Sequence, residues 1–375
     1  MYFLDERFLL FAPALVCVYW LAGERLRNWV LLAGSLVWLA MFSVPTVVAL
    51  STLALGVIYP AAWLASRRRA RGDERGASVV AWTGIAVVIA VAALLRLKGH
   101  WFHLVAGPGY LELLRWIGFS YFVLKAIHVM RATARGIIEL STPLTVLTYV
   151  VFLPTLTSGP IYRLDTFAQQ LAEPKRLGWD DLNDGLFRVL LGIGKKVVFA
   201  LPLSKLTTAL HAKGLTHPAA YVVTYVILYL DFSGYTDIAI GFGRLLGFRV
   251  PENFKHPFTA TTLTQFWRNW HATLTDWQRE NVFVPLGGMR ARGWRLWGIV
   301  LGAMLIVGIW HAFTPIFLLW GLYHGTLLLL ENWLDIKPLH AHRTPRWRLW
   351  LRYGLVQIAV MGGMFAFIGT DLGIR

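Results

Sequence analysis

The sequence predicts an all-α, polytopic integral membrane protein of about ten spans, and three observations carry that prediction. Of 375 residues, 57% are hydrophobic, and the mean hydropathy is +0.55. Apolar runs near the roughly 20 residues that a helix needs to cross a bilayer recur throughout the chain. The basic residues fall in short clusters between those runs. Eighteen Trp and thirteen Tyr suit a protein with two membrane interfaces to anchor. A net charge of +16 could point to nucleic acid, but scattered interspan clusters fit positively charged cytoplasmic loops, so no nucleic-acid partner is expected.

The elements follow in order. Phe8–Ala22 reads as a retained first span, because no basic stretch precedes it and no small-residue cleavage site follows. Trp29–Ala65 is broken at Pro45 and reads as two spans. Ser66–Arg75 is the most basic loop. Ser78–Leu97 spans, Lys98–His103 reads as a short wet connection, and Tyr110–Met130 spans again. An outside N-terminus places Arg25/Arg27, Arg67–Arg75 and Arg131/Arg135 all on the cytoplasmic side.

Pro143–Leu156 is short and ends in Pro154–Arg163, where two prolines and a glycine cannot continue a helix. Broken backbone at membrane depth must be buried in protein or line a wet cavity. Leu164–Asp184 is polar and interfacial, Leu186–Leu203 spans with an interruption at Gly192–Lys196, and Ala219–Phe242 spans. Trp294–Ile309, Ile316–Asn332 and Leu355–Ile368 complete the count. No repeat or flexible linker appears, so residues 1–375 are expected to form one domain.

Residues 231–290 are the longest stretch dense in ionisable groups, which are expensive near hydrocarbon and mark a candidate site. Within it, Phe266–Asn281 reads as an amphipathic interfacial helix. Trp267, Trp270, Leu274 and Trp277 form its apolar stripe, and His271 lies at the stripe's border beside Arg268. His271 is either a headgroup anchor or a side chain turned into a polar cavity. His311 ends a nearly pure apolar run, Leu296–Trp310. A buried imidazole stays neutral, which is the form a general base requires. Pro315, four residues on, is expected to free the His311 carbonyl from its helical bond.

His324 between glycines reads as packing, and His128 as packing or gating. Asp231 and Asp237 face different sides of a helix, so they are not a carboxylate pair, and Asp231 is expected to accept from a nearby Arg or Tyr. His, Asp and Glu do not recur at metal-ligand spacing, so no metal site is expected. Cys17 is the single cysteine, which excludes an internal disulfide and a cysteine-based metal site.

The motifs GFSYFVLKAIH, FLPTLTSGPIYR, DFSGYTDIAIG, PENF, FWRNWH, PLGG, IWHAFTP and WGLYHG occur in order between Gly118 and Gly325. In that order they resemble the membrane-bound O-acyltransferase superfamily, in its bacterial branch that acylates cell-surface polymers. The resemblance implies a helical bundle with interfacial helices and a central tunnel in the bacterial cytoplasmic (inner) membrane. By motif it implies His311 and His271 as the catalytic pair, with His311 as the base. Ser158, Pro160, Arg163, Asp231, Ser233, Trp267, Arg268 and Trp310 would line the substrate path. It implies no bound cofactor. An acyl thioester, acetyl-CoA or an acyl carrier protein, would serve as donor on the cytoplasmic side. A surface polysaccharide or partner acyltransferase would take the acyl group outside, with membrane lipid around the bundle.

Two branches compete. FWRNWH, PENF and PLGG resemble the alginate-type O-acetyltransferases. FLPTLTSGPIYR resembles the branch that moves D-alanine onto teichoic acid, whose usual Asp is here Tyr162. The family's usual glycine after the base is here Ala312, whose methyl group could narrow the tunnel. Acetyl transfer is favoured and D-alanyl transfer is second. A transporter or flippase would instead show inverted repeats, which this sequence lacks.

The orientation has a direct check. Arg71→Cys in a Cys17→Ser background should react with a membrane-impermeant maleimide only after cells are permeabilised. Labelling in intact cells would invert the topology.

Overall fold

The structure, a computed structural model, describes residues 5–102, 119–173, 175–212, 219–340 and 342–367. It is helical throughout, and the described residues contain one isolated β-bridge and no named strand. Val44–Ala70, Glu74–Val91, Gly293–His311 and Arg346–Ala366 are long and apolar enough to cross a membrane. Large side chains such as Leu10, Trp82, Phe187, Trp294 and Trp350 are exposed along the helices. So apolar a surface suits lipid as its solvent.

The chain packs as two compact units. One comprises Tyr2–Val189 with Ile238–Pro251, and the other Leu190–Asp237 with Glu252–Arg375. The helix Ala219–Leu245 contributes residues to both.

The first unit opens with Glu6–Leu21, capped by the Asp5 carboxylate on the Arg7 amide, and continues with Glu24–Ala40. The expected break near Pro45 falls at residues 41–43. Ser43 caps the next helix there, and Pro45 occupies its first turn, where no amide hydrogen is needed. A continuous helical run follows from Val44 to Ala70 through a π-helical stretch at Ala54–Ile58. The basic residues of Ser66–Arg75 mostly close this helix, and the loop itself shrinks to 71–73.

Lys98–Phe102 is helical and not the wet connection expected, because the helix runs unbroken over Glu74–Phe102. An isolated Gly99 costs a helix only about 1 kcal/mol, too little to end it. The expected span Tyr110–Met130 begins outside the described residues, and its described part is the helix Phe119–Ala134.

The helix break after Pro143–Val151 is tied down from within. Lys125, fully buried, donates from Nζ to the Tyr149 carbonyl and the Thr155 hydroxyl, each at 3.0 Å. Tyr149 Oη donates to the Tyr162 carbonyl at 2.6 Å, and Tyr162 Oη to the Arg249 carbonyl at 3.0 Å. His128 Nε2 accepts from the Leu164 amide at 3.4 Å. Phe152, Phe167 and Phe248 close ring on ring around these bonds at 4.9 to 5.4 Å between centroids. Side chains from neighbouring elements thus take up part of the broken backbone, at the Tyr162 carbonyl and the Leu164 amide, as an apolar setting demands. Leu164–Asp184 resolves into the helix Leu164–Ala172 and the start of Trp179–Ile193.

The second unit holds Gly194–Ala200, where Gly192–Lys196 was expected to interrupt a span. The helix there widens to π form instead of breaking. Further on, Gly293–His311 and Pro315–Trp333 form an antiparallel pair. A Cβ added at Gly308 would meet the Phe317 carbonyl at 2.2 Å, and one at Gly321 the Met304 carbonyl at 2.7 Å. Only glycine permits so close a backbone approach, the means by which helices pack where apolar burial gives no preference. Gly308 lies one turn before His311 and Gly321 directly follows Trp320, so this contact also sets the site.

Gly321→Ala should therefore push the two helices apart and lower stability by about 1–3 kcal/mol. Thermal unfolding in detergent micelles measures it, and an unchanged midpoint would refute the contact.

Candidate functional site

The expected helix Phe266–Asn281 is not continuous. It is two seven-residue helices, Leu263–Asn269 and Ala272–Gln278, followed by a π-helical turn. The break falls at His271, whose φ of 47° places it in the left-handed region. A non-glycine residue is rare there and costs on the order of 1–3 kcal/mol. The periodicity of the tryptophans survives a break of only two residues, Trp270 and His271, which is why it reads as one helix in the sequence.

The strained residue is held by Asn253–Lys255. Phe254 pairs antiparallel with Trp270, the Lys255 amide donates to the Asn269 carbonyl at 2.9 Å, and the Ala272 amide to the Asn253 carbonyl at 2.9 Å. At the other end Thr262 caps Leu263–Asn269, accepting from the Gln265 amide at 3.1 Å. The Glu331 carboxylate accepts from the Leu263 amide and, at 2.9 Å, from the Thr264 amide.

Asn253 also orients the imidazole. Its side-chain oxygen accepts from Thr273 Oγ1 at 2.5 Å and lies 3.3 Å from His271 Nδ1, while its nitrogen lies 3.5 Å from Thr236 Oγ1. An amide oxygen can only accept, so His271 carries its proton on Nδ1 and its lone pair on Nε2. Burial, and secondarily the nearby His311, push the His271 imidazole down to about 3, so it is neutral across the physiological range.

His311 is the last residue of Gly293–His311. The chain turns extended at Ala312, and Thr314 stands at the cap of the next helix. Pro315 therefore begins a helix and does not disrupt one. The break lies just after His311, at Ala312–Thr314, and Pro315 sits in a first turn, where its missing amide costs nothing. The His311 ring stacks on Phe317 at 5.8 Å and meets Trp310, Trp320 and Phe367 at 5.0, 5.5 and 6.0 Å. It nevertheless keeps an exposed face.

Trp310 joins the two histidines. Its ring lies 5.0 Å from His311 and 6.1 Å from His271, although 40 residues separate them in sequence (311 − 271). Trp267 packs on Trp320 at 5.6 Å, which in turn faces His311. Phe232 meets the His271 ring at 4.7 Å, and the hydroxyl of Ser233, next in the chain, is buried with no partner among the described residues. The structure therefore brings together His271, His311, Trp310 and Trp267.

The other candidates are placed differently. Asp231 is paired with Lys196, a lysine and not the Arg or Tyr expected, and Asp237 bonds Lys195 at 2.6 Å. Each carboxylate on its own face of the helix takes one of two adjacent lysines, which makes the set an internal ion-pair lock. Arg268 is exposed. Ser158, Pro160 and Arg163 belong to the other unit, where Arg163 holds Asp165 at 3.2 Å. No group of three or more His, Cys, Asp or Glu among the described residues could hold a metal ion.

Membrane-length apolar helices and two histidines brought to one aromatic ring at breaks in the helices mark a membrane protein with a candidate polar site. The profile of the membrane-bound O-acyltransferase family matches residues 77–351. The probable alginate O-acetylase of Pseudomonas aeruginosa is 30% identical, covering 97% of this chain and 71% of its own. The teichoic acid D-alanyltransferase of Bacillus subtilis is 30% identical over 54% of this chain and 55% of its own. The peptidoglycan O-acetyltransferase of Helicobacter pylori is 32% identical over 44% of this chain and 32% of its own. The chain belongs to the membrane-bound O-acyltransferase family, and it is an O-acyltransferase.

Asn253, Phe232 and Trp320 carry weight that the sequence did not assign them. PENF marks a turn, and only the fold shows that its asparagine reaches the His271 ring. Asn253→Ala should leave the protein folded and lower turnover by about tenfold or more, the equivalent of one buried hydrogen bond. Asn253→Asp, which keeps an acceptor at that point, should recover part of it. Wild-type turnover in Asn253→Ala would show that the imidazole needs no such fixing.

Proposed function

We propose that this O-acyltransferase moves an acetyl group from a thioester donor on the cytoplasmic side to a hydroxyl of an extracytoplasmic polysaccharide, with His311 as the general base. The observation that carries the reading is the meeting of His271 and His311 across Trp310, each at a helix break. His311 offers an exposed face to a reactant, while His271 is buried and held in one tautomer. In this reading His311 takes the proton of the acceptor hydroxyl as its oxygen attacks the acyl carbon. The C–O bond forms, the carbonyl electron pair moves onto oxygen and then returns, and the C–S bond breaks. The sulfur leaves with the C–S bonding pair and is protonated by the His311 imidazolium. His271 assists by orienting a reactant through Nε2.

The same reading takes the chain across the bacterial inner membrane about ten times, around a tunnel that admits donor and acceptor from opposite faces. Acetyl is favoured because the alginate O-acetylase relative matches 97% of this chain, whereas the D-alanyltransferase relative matches 54%. D-alanyl transfer to a teichoic-acid-like acceptor is the second reading, supported by that shorter match.

A positioned base contributes about 10²–10⁴-fold in rate. In proteoliposomes loaded with acetyl-CoA and given an external polysaccharide, His311→Ala should lose turnover by that factor with little change in donor affinity. His311→Gln, which bonds hydrogen but cannot take the proton, should be equally slow. Wild-type turnover in the glutamine variant would make His311 a packing residue and defeat the mechanism.

A further inference from the structure

His324 reads in the sequence as packing between glycines, and its surroundings argue otherwise. It is 1% exposed in the helix Pro315–Trp333. Its ring lies 5.0 Å from Trp267 and 4.7 Å from Trp320. Neither of its ring nitrogens has a hydrogen-bond partner among the described residues, and the buried indole nitrogens of Trp267 and Trp320 have none either. Buried polar atoms are almost always paired, so four unpaired nitrogens in one cluster are not explained by packing. An apolar ring at position 324 would fill similar space without that cost.

The cluster also borders the site, since Trp320 faces both His324 and His311. Its chemistry is one-sided. Two indoles supply donors only, and a neutral imidazole supplies one donor and one acceptor. Three donors against one acceptor select a reactant oxygen that accepts. In acyl transfer the oxygen that gains negative charge is that of the acyl carbonyl.

We propose that Trp267, Trp320 and His324 form a donor-rich subsite for the acyl carbonyl oxygen of the thioester, beside the base His311. The proposal rests on His311 being the base. When the acceptor oxygen adds to the acyl carbon, the carbonyl electron pair moves onto the oxygen held by these donors. It returns as the C–S bond breaks and the sulfur leaves with the bonding pair. The proton taken by His311 passes to that sulfur. Donors aimed at a developing oxyanion act on the transition state more than on the bound substrate.

The test uses the full chain in proteoliposomes, with acetyl-CoA as donor and polysaccharide as acceptor, and compares His324→Phe, His324→Gln, Trp267→Phe and His311→Ala. His324→Phe should unfold at or above the wild-type temperature yet turn over about a hundredfold more slowly, with the donor KM nearly unchanged. His324→Gln, which retains a donor, should recover part of the rate. Turnover of His324→Phe within twofold of wild type would overturn the proposal, and so would a raised KM at unchanged kcat. If His324→Phe fails to fold, Trp267→Phe decides: a slowed kcat supports the subsite and a wild-type kcat overturns it. An inactive His311→Ala beside an active His324→Phe removes only the subsite, whereas an active His311→Ala removes the base on which it rests.

Discussion

A helix can break inside an apolar protein only where other groups take up the backbone hydrogen bonds it gives up. Both candidate histidines, His271 and His311, sit at such breaks. Asn253–Lys255 takes up the backbone on either side of His271. Glu331 takes the first amides of the helix that leads to it. Lys125 and Tyr149 hold the proline-rich segment of the other unit. The gain is directional. A histidine inside a regular span would face a neighbouring helix or lipid, whereas one at a braced break can be turned toward a reactant and kept there.

Charge obeys the same constraint. A carboxylate or ammonium within an apolar unit is tolerated when paired, and Lys195 and Lys196 take Asp237 and Asp231 one to one. These pairs lock the π-helical stretch to the helix Ala219–Leu245 and leave the site to neutral groups. His271 is the clearest case, because burial keeps it uncharged and Asn253 fixes which nitrogen bears the proton. Around both histidines the walls are aromatic, and Trp310 is the ring they share.

Much of this was legible in the sequence. Apolar length marked the four membrane-length helices, Pro45 marked the turn that precedes one of them, and the run of motifs marked the family. His271 and His311 were legible as candidates because a polar residue in an apolar chain stands out. What the sequence concealed was geometry. The break at His271 leaves the tryptophan spacing intact, and the helix end at His311 looked like a disruption by Pro315 when the proline starts the next helix. Lys98–His103 reads as a wet connection, yet over its described part, Lys98–Phe102, the helix simply continues. Asn253 and His324 could not be ranked from spacing, since the rings they meet lie 18 and 57 positions away, at His271 and Trp267 (271 − 253 and 324 − 267). Likewise the lysine partner of Asp231 lies 35 residues earlier.

The central claim is that His271 and His311 act as one site, and a double-mutant cycle on turnover tests it most directly. The single changes His271→Ala and His311→Ala and their combination are compared with the wild type in the same proteoliposomes, each checked for insertion and folding. Residues that act as a unit lose their function together, so the double variant should be no slower than the slower single one. Losses that multiply would mean that the two histidines contribute independently, and would contradict the account.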